Sequence, residues 1–298
     1  MSRVHDNLDM LLTTALAPNT QAAYQRSWVK YTKFCTLFGL SAHLPVSTDK
    51  ILKFISYLHL NKVPFQSITP ILSAISYKHK LSDLPDPCKA FKVSQVLNSL
   101  KRINPTVQQK FPITLTLLQK MVNSLGLLGL SEYETSLFRS MFTIQFYFAL
   151  RIGELTDSQH NITLEQVLVK QNSLTISFNT FKHSSSLTSC PHEVHRVNNH
   201  PCPVVELKNY LASRDKANGP LFKLGNKPVP RHVYNNKIKT VLKLLGEDTT
   251  KYSAHSFRIG ATTYWASKGM SELQIKQLGR WKSDAIFKYL RGPINHNI

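Results

Sequence analysis

The sequence predicts a mainly α-helical chain of two domains, the second of which carries a small three-stranded antiparallel sheet. Apolar residues recur at helical spacing through most of the 298 residues, and the alternation typical of strands occurs between residues 166 and 197. Helical periodicity stops from Arg102 to Pro112, a polar stretch with two prolines. We therefore predict an all-helical domain at 1–105, a linker at 106–112 and an α+β domain at 113–298.

Start and stop residues mark the helices of the first domain. Pro18 is placed to begin a helix that ends at Gly39, and Ser47 is placed to cap the next one. Residues 1–17 are weakly patterned and at most loosely helical. Two further apolar-periodic runs, at about 67–81 and 87–101, complete a four-helix domain with basic edges.

The second domain combines helices with short strands. The Ser-x-x-Glu pattern from Ser131 to Glu134 is typical of a capping box, here at the start of a long buried helix that ends at Leu150. Ser271–Gln274 has a similar pattern, and Ser283 can cap the last helix. Strands are predicted at 166–170, 174–181, 193–197 and 221–222, and further helices at 114–124, 203–213 and 230–245.

Charge is the most distinctive feature of the composition. The 37 Lys and Arg against 17 Asp and Glu give a formal net charge of +20, which on a folded protein indicates a polyanionic partner. The alternative is a basic protein without such a partner. A membrane protein is not expected, because the longest apolar run, Met141–Leu150, is too short to span a bilayer. The four cysteines lack paired spacing, which is typical of a reducing, intracellular compartment.

Several side chains that donate hydrogen bonds stand beside breaks in the predicted elements. They are Arg151, Lys182, His255, Arg258 and Trp281. No set of Asp, Glu and His at metal-ligand spacing accompanies them. Such a set suits a phosphodiester, because guanidinium groups can stabilise its non-bridging oxygens without a metal. Tyr289 can supply a covalent nucleophile, and the same cations would favour its phenolate.

In order and spacing, these residues resemble the motifs of the tyrosine recombinases, also called phage-type integrases. Ala149–Leu155 is similar to the family's first-arginine box, and Thr180–Lys182 is similar to its lysine segment. His255–Arg258 resembles its His-x-x-Arg box, Leu278–Trp281 its Gly-(His/Arg)-(His/Trp) box, and Lys288–Leu290 its nucleophile segment. The likeness covers nearly the whole chain, since the first domain resembles the family's core-binding, SAM-like domain.

The resemblance implies a DNA breaking-rejoining enzyme that recombines or integrates a mobile element. Tyr289 would attack a DNA phosphate, form a 3′-phosphotyrosyl link and release a 5′-hydroxyl, without a cofactor or a metal. Arg151 and Arg258 would hold the phosphate oxygens. His255 would exchange a proton, and Lys182 would protonate the leaving oxygen.

The same resemblance implies supporting residues and partners. Trp281 would donate to or pack at the phosphate, although an indole cannot shuttle a proton as histidine can. Glu154 would support the pocket. The two domains would close around double-stranded DNA, and a homotetramer would hold two duplexes; neither a membrane nor a small-molecule substrate is implied. Cys202–Val204 resembles, more loosely, eukaryotic members from DIRS-like, Ngaro-like and crypton elements, which implies the nucleus; a bacterial protein would be cytoplasmic.

Read one at a time, these residues have ordinary explanations. Arg151 with Glu154 is typical of an i,i+3 ion pair, Trp281 of a core residue and Tyr289 of a half-buried one. Only the ordered set indicates chemistry. The lysine is the most open assignment, because pattern fixes hairpin register poorly: Lys182 competes with Lys170 and Lys208.

Two further alternatives concern metal binding and function. A second cluster contains zinc-ligand types: Cys190, His192, His195, His200 and Cys202. Its spacing does not match a paired zinc knuckle, so we interpret the histidines as solvated residues of a strand. The chain could also be a DNA-binding protein without chemistry, or a type IB topoisomerase that relaxes DNA. The complete donor set favours an enzyme over a DNA-binding protein without chemistry. The separate helical domain at 1–105 favours a recombinase over a topoisomerase.

Overall fold

Helices dominate the structure, a computed structural model that describes residues 2–103, 110–178, 190–198, 200–281 and 289. The chain divides into two units, Met1–Val107 and Gln108–Ile298. Lys182, Ser283 and most of the predicted linker lie outside the described residues. Within the described ranges, no helix combines the length and the apolar character that a membrane crossing needs.

The first unit is helical, and one helix precedes the four that the sequence predicts. Its helices are α1 (Ser2–Thr14), α2 (Pro18–Leu37), α3 (Thr48–Leu60), α4 (Phe65–Leu81) and α5 (Phe91–Ile103). Ser47 caps α3 as predicted, since its hydroxyl accepts from the N–H of Lys50 at 3.3 Å. Helices α2 to α5 share one core, in which the rings of Tyr31 and Phe54 meet edge to face at 5.3 Å.

In the part of the second unit that the structure describes, helices combine with two small sheets. Its helices are α6 (Leu115–Ser124), α7 (Glu132–Tyr147), α8 (Ile152–Leu155), α9 (Pro203–Ser213), α10 (Arg231–Leu244), α11 (Ala254–Ser267) and α12 (Glu272–Gly279). Strands β1 (Val167–Val169), β2 (Ser173–Phe178) and β3 (Cys190–His195) form an antiparallel sheet in that order, and β4 (Lys223–Leu224) pairs with β5 (Lys227–Pro228). The predicted fold class is confirmed.

Two predicted strands are displaced. β3 begins at Cys190 rather than at residue 193, because it is an edge strand and an edge tolerates Pro191. Leu221 and Phe222 do not form the predicted short strand: both side chains are buried in the core, and the pairing residues follow them in β4.

Helix α7 lies in the core of the second unit and fixes the start of α11. Its predicted capping box is present, with the Ser131 hydroxyl accepting from the N–H of Glu134 at 3.2 Å. Gln145, a polar residue in the apolar run, donates to the carbonyl of Ala254 at 3.1 Å and accepts from the hydroxyl of Tyr234 at 2.6 Å. These bonds join the C-terminal end of α7 to the first turn of α11.

Gly260 allows a close crossing between α11 and the segment that precedes α6. The N–H of Ile113 donates to the carbonyl of Ser256 at 3.0 Å, and a Cβ at Gly260 would overlap the carbonyl oxygen of Ile113. We expect Gly260→Ala to lower the free energy of unfolding by about 3 kcal/mol, because backbone atoms would have to move apart. Urea denaturation measured by tryptophan fluorescence checks this value.

Gly126→Ala is the matched control, because a Cβ at Gly126 meets no atom within 4 Å. Its stability should stay within about 1 kcal/mol of wild type. Equal stability of the Gly260→Ala and Gly126→Ala proteins would contradict the close crossing.

Candidate active site

Arg151 lies in a tight turn between α7 and α8. Helix α7 ends at Tyr147 and not at the predicted Leu150, because the chain turns at Ala149 with a left-handed φ of +47°. The N–H of Arg151 donates to Oε2 of Glu154 at 2.7 Å, and its Nη1 donates to Oε1 at 3.3 Å. The simple i,i+3 ion pair is therefore present, with the Arg151 side chain 27% exposed and that of Glu154 3% exposed.

His255 and Arg258 both lie near the start of α11. The Arg258 side chain is buried, with Nη1 donating to the carbonyl of Ala149 and Nη2 donating to the carbonyl of Gly279. A buried guanidinium needs such partners to replace water. These two bonds connect the turn before Arg151 with the end of α12, so Arg258 holds two separate breaks of the chain together.

The rings of Trp281 and Tyr289 lie beside Arg258, and the His255 ring packs on Tyr289. Its Cζ lies 3.7 Å from the centroid of the Trp281 ring and 5.8 Å from that of Tyr289. The Tyr289 ring lies 5.0 Å from the Trp281 ring and 4.8 Å from the His255 ring. The structure thus brings four predicted site residues together. The indole ring of Trp281 covers the face of the buried Arg258 guanidinium and so holds it in one orientation.

The predicted lysine cannot be placed, because Lys182 lies outside the described residues. Its two alternatives have local partners instead. Nζ of Lys170 lies 4.0 Å from a carboxylate oxygen of Glu193, and Nζ of Lys208 donates to the carbonyl of Gln171 at 3.2 Å. These contacts place Lys170 and Lys208 beside the β1–β2 turn and β3.

The charges of the site favour an anion. Burial alone would raise the pKa of Glu154, but the guanidinium groups of Arg280 and Arg151 outweigh it, so the pKa of Glu154 lies below its ordinary value. Burial, followed by the charges of Arg151 and Arg280, lowers the pKa of Arg258. The guanidinium groups of Arg151 and Arg280 therefore share the ionised Glu154 carboxylate, and the nearby charge of Arg258 leaves positive charge for a ligand to neutralise.

The imidazole of His255 is neutral near pH 7. His255 keeps an edge exposed to solvent, but the atoms packed around its ring remove part of its hydration. This desolvation, followed by the charges of Arg258 and Arg151, lowers the pKa of His255 below its ordinary value. A neutral imidazole can accept a proton from a neighbouring group.

Solved structures of proteins bound to DNA share the fold. The chain is similar to the XerH site-specific recombinase bound to palindromic difH substrate in a post-cleavage complex, with a TM-score of 0.65 and 12% identity over 90% of this chain and 75% of that one. It is similar to a lambda integrase dimer bound to a COC′ core site, with a TM-score of 0.65 and 12% identity over 97% and 76% of the two chains. It is also similar to the Tn1549 transposon integrase in complex with transposon right end DNA, with a TM-score of 0.65 and 13% identity over 93% and 90%.

The fold is that of the tyrosine recombinases. No protein-family model and no curated protein matched the sequence. The assignment of the fold therefore depends on three-dimensional similarity, because the sequence is only 12–13% identical to these three structures.

Within this tyrosine-recombinase fold, Arg280 is a residue of the site that the sequence did not single out. It lies in the Leu278–Trp281 segment, but its side chain is not among the site residues that the sequence predicts. Its Nη2 lies 2.8 Å from Oε2 of Glu154, and only 1% of its side chain is exposed. An arginine between the box glycine and Trp281 was the available signal, because a guanidinium that is buried at a turn needs ionic or hydrogen-bond partners in place of water.

The members of the cysteine and histidine cluster whose side chains are described do not form a metal site. Among the residues with described side chains, no group of three or more His, Cys, Asp or Glu is placed to hold a metal ion. His195 is exposed, but the interpretation as a solvated residue is wrong for His192. That ring is half-buried 5.4 Å from the ring of Phe178, and burial, followed by the charge of Arg280, lowers the pKa of His192 to about 4.

Proposed function

We propose that the chain is a tyrosine recombinase, which cleaves and rejoins DNA strands through a covalent tyrosyl intermediate. The position of Tyr289 carries this proposal. Its ring packs against His255 and Trp281 and lies 5.8 Å from Cζ of Arg258. A phenol beside a buried guanidinium is suited to nucleophilic attack on a phosphodiester, because the cation stabilises the negative charge that grows in the transition state.

The proposed reaction has two steps, cleavage of one strand and its joining to another. In the first, the oxygen of Tyr289 attacks phosphorus while its proton passes to His255. The bond from phosphorus to the 5′ oxygen breaks, and that oxygen leaves as a 5′-hydroxyl after taking a proton, for which we propose Lys182 as the donor. In the second, a 5′-hydroxyl from another strand attacks the 3′-phosphotyrosyl link and releases Tyr289, so the number of phosphodiester bonds is conserved.

Arginine side chains stabilise the transition state in this scheme. Arg151 and Arg258 bind the non-bridging oxygens, whose negative charge grows as the new bond forms. Guanidinium groups suit this role because their N–H donors match the oxygens of a phosphate in a fork. Glu154 holds Arg151, and Trp281 packs on Arg258, so neither arginine has to be ordered when the substrate arrives.

The distribution of charge supports a DNA substrate. The net charge of +20 favours a polyanion, and a groove of about 560 Å³ beside the start of α11 is lined by Lys110, Lys239 and Ser253 among others. We propose that a phosphate backbone follows this groove and that a homotetramer joins two duplexes. We also propose that the chain comes from a mobile element and acts in the nucleus. The weaker resemblance of Cys202–Val204 to eukaryotic members supports this part of the proposal.

Covalent capture from a pool of nicked duplexes tests the function. Each labelled duplex carries randomised base pairs around its nick. Because the nick leaves only a short strand beyond the cleaved phosphate, that strand diffuses away and cannot rejoin. We expect an adduct that survives boiling in detergent, and sequencing the captured DNA then gives the target site. Binding should weaken with salt, with a slope of about −0.9 in log affinity against log salt for each phosphate contacted.

The other outcomes point to other functions. Tight, salt-dependent binding without an adduct would indicate a DNA-binding protein that performs no chemistry. An adduct together with relaxed plasmid, but without exchanged strands, would indicate a topoisomerase. A salt-independent affinity would contradict the phosphate contacts themselves.

The pH dependence of adduct formation should follow His255. Because the pKa of His255 lies below 6.5 in the free protein, its neutral form should persist below that pH and accept the Tyr289 proton. We expect the rate at subsaturating DNA, which reports the free enzyme, to stay near its maximum at pH 6.5 and to fall as pH decreases through the lowered pKa.

His255→Ala should slow the reaction by about 100-fold and remove this inflection. Rate measurements on both proteins between pH 5 and 8 make the comparison, a window that spans the ordinary histidine pKa of about 6.5. An inflection above that value, or one that persists in His255→Ala, would contradict the role of His255.

A further inference from the structure

We propose that Arg280 is a positioning residue that aligns Arg151 and Trp281 for the reaction. The inference rests on the proposed function. It concerns a side chain that is directed at Glu154 and Phe178, whereas its neighbour Trp281 packs on Arg258. Arg280 acts through these residues and not on the phosphate.

The backbone at Arg280 takes a conformation that needs outside support. Arg280 directly follows α12 and has a left-handed φ of +55°, which for a residue with a Cβ is unfavourable. The guanidinium supplies that support. Its Nη1 donates back to the carbonyl of Leu278 at 2.9 Å, and its Cζ lies 4.0 Å from the centroid of the Phe178 ring in β2.

The carbonyl of Arg280 connects its backbone to Arg151, one of the arginines proposed to bind the phosphate. It accepts from Nη2 of Arg151 at 3.4 Å, while Nη1 of Arg151 is held by Glu154. A shift of the Arg280 backbone would therefore change the direction of the Arg151 fork. Because Trp281 follows directly in the chain, the same shift would move the ring that packs on Arg258.

The Glu154 carboxylate gives Arg280 a second way to affect Arg151. Oε2 of Glu154 lies 2.8 Å from Nη2 of Arg280 and also accepts from the N–H of Arg151 at 2.7 Å. With Arg280 present, two guanidinium groups share one carboxylate, so Arg151 retains charge for a phosphate. Without Arg280, Arg151 alone would have to compensate a buried carboxylate, which is costly to leave unpaired.

Three variants separate positioning from folding. Glu154→Gln alone measures what the loss of the Glu154 carboxylate contributes, because Glu154 itself holds Arg151. The double variant Glu154→Gln/Arg280→Met removes both buried charges and should keep the fold. Arg280→Lys restores the charge without the fork that reaches both Glu154 and Leu278. Lys268→Met is the control, because it deletes one positive charge from an exposed position after α11.

Single-turnover adduct formation on the captured nicked duplex is the first readout. We expect the folded double variant to react about 100-fold more slowly than wild type at saturating DNA, the scale of a misplaced catalytic group, while its DNA affinity changes less than about threefold. Arg280→Lys should recover part of that loss. A double variant that folds and reacts no more slowly than Glu154→Gln would show that Arg280 serves the fold only and would overturn the proposal.

Tungstate, a tetrahedral anion similar in shape to phosphate, gives a readout that does not require cleavage. By titration calorimetry we expect the double variant to bind tungstate about tenfold more weakly, the loss of roughly one charge-assisted hydrogen bond, and Lys268→Met to bind as wild type does. Equal affinity in the double variant and wild type would overturn the alignment of Arg151. If wild type binds tungstate but forms no adduct with DNA, the proposed function fails while the role of Arg280 in anion binding is still measured.

Discussion

Tyr289→Phe should abolish the covalent adduct. Phenylalanine keeps the ring that packs on His255 and Trp281 but has no oxygen to attack phosphorus. We expect adduct formation on nicked DNA to fall by at least about four orders of magnitude, as is usual when a covalent nucleophile is removed. DNA affinity should stay within about threefold of wild type, because one neutral hydroxyl contributes little to binding.

Tyr133→Phe is the matched control for this experiment. It also deletes one phenolic oxygen from the second unit, at the end of α7 opposite to Arg151, where the Tyr133 hydroxyl donates to the carbonyl of Lys223 at 2.9 Å. Its adduct rate should match that of wild type. An adduct that persisted in Tyr289→Phe would mean that another residue is the nucleophile.

Arg258→Lys should have the second largest effect. A lysine cannot replace the two bonds to the carbonyls of Ala149 and Gly279 together with the contact to Trp281. We expect the rate of adduct formation to fall by about three orders of magnitude, the scale of a lost oxyanion donor. The free energy of unfolding should also fall by about 3 kcal/mol, because a buried carbonyl is left without its donor.

Arg214→Lys distinguishes the two effects. Arg214 is also buried, and its guanidinium also donates to backbone carbonyls, those of Leu221, Asp215, Ala217 and Pro220. This variant should lose about as much stability as Arg258→Lys, whereas its folded protein should react at the wild-type rate. If both variants reacted equally slowly, the loss in Arg258→Lys would come from folding and not from transition-state stabilisation.

Features that depend on neighbours in sequence could be predicted. The capping boxes at Ser131–Glu134 and Ser271–Gln274 are present, because each involves residues three apart. Strand alternation also located the three-stranded sheet. The end of α7 could not be read in this way, because the left-handed turn at Ala149 presents its carbonyl to Arg258, a partner 109 residues away.

The network of contacts around the candidate site could be predicted only in part, because many of its partners are distant in sequence. The order of Arg151, His255, Arg258, Trp281 and Tyr289 predicts a shared site, and the chemistry of these residues stays a prediction. It could not show that Arg258 is buried with its face on an indole ring. Nor could it show Arg280, whose ion pair with Glu154 spans 126 residues of sequence. Long-range partners of this kind are set by the fold, and a sequence pattern does not record them.

Mapping the adduct tests the central claim most directly. Wild-type protein is captured on the nicked duplex, digested with trypsin and nuclease, and the peptide that carries nucleotide is sequenced by mass spectrometry. We expect a single modified residue, Tyr289, joined to a 3′-phosphate, with the released strand bearing a 5′-hydroxyl. A modified residue other than Tyr289, a link to a 5′-phosphate, or unmodified protein with cut DNA would contradict the account.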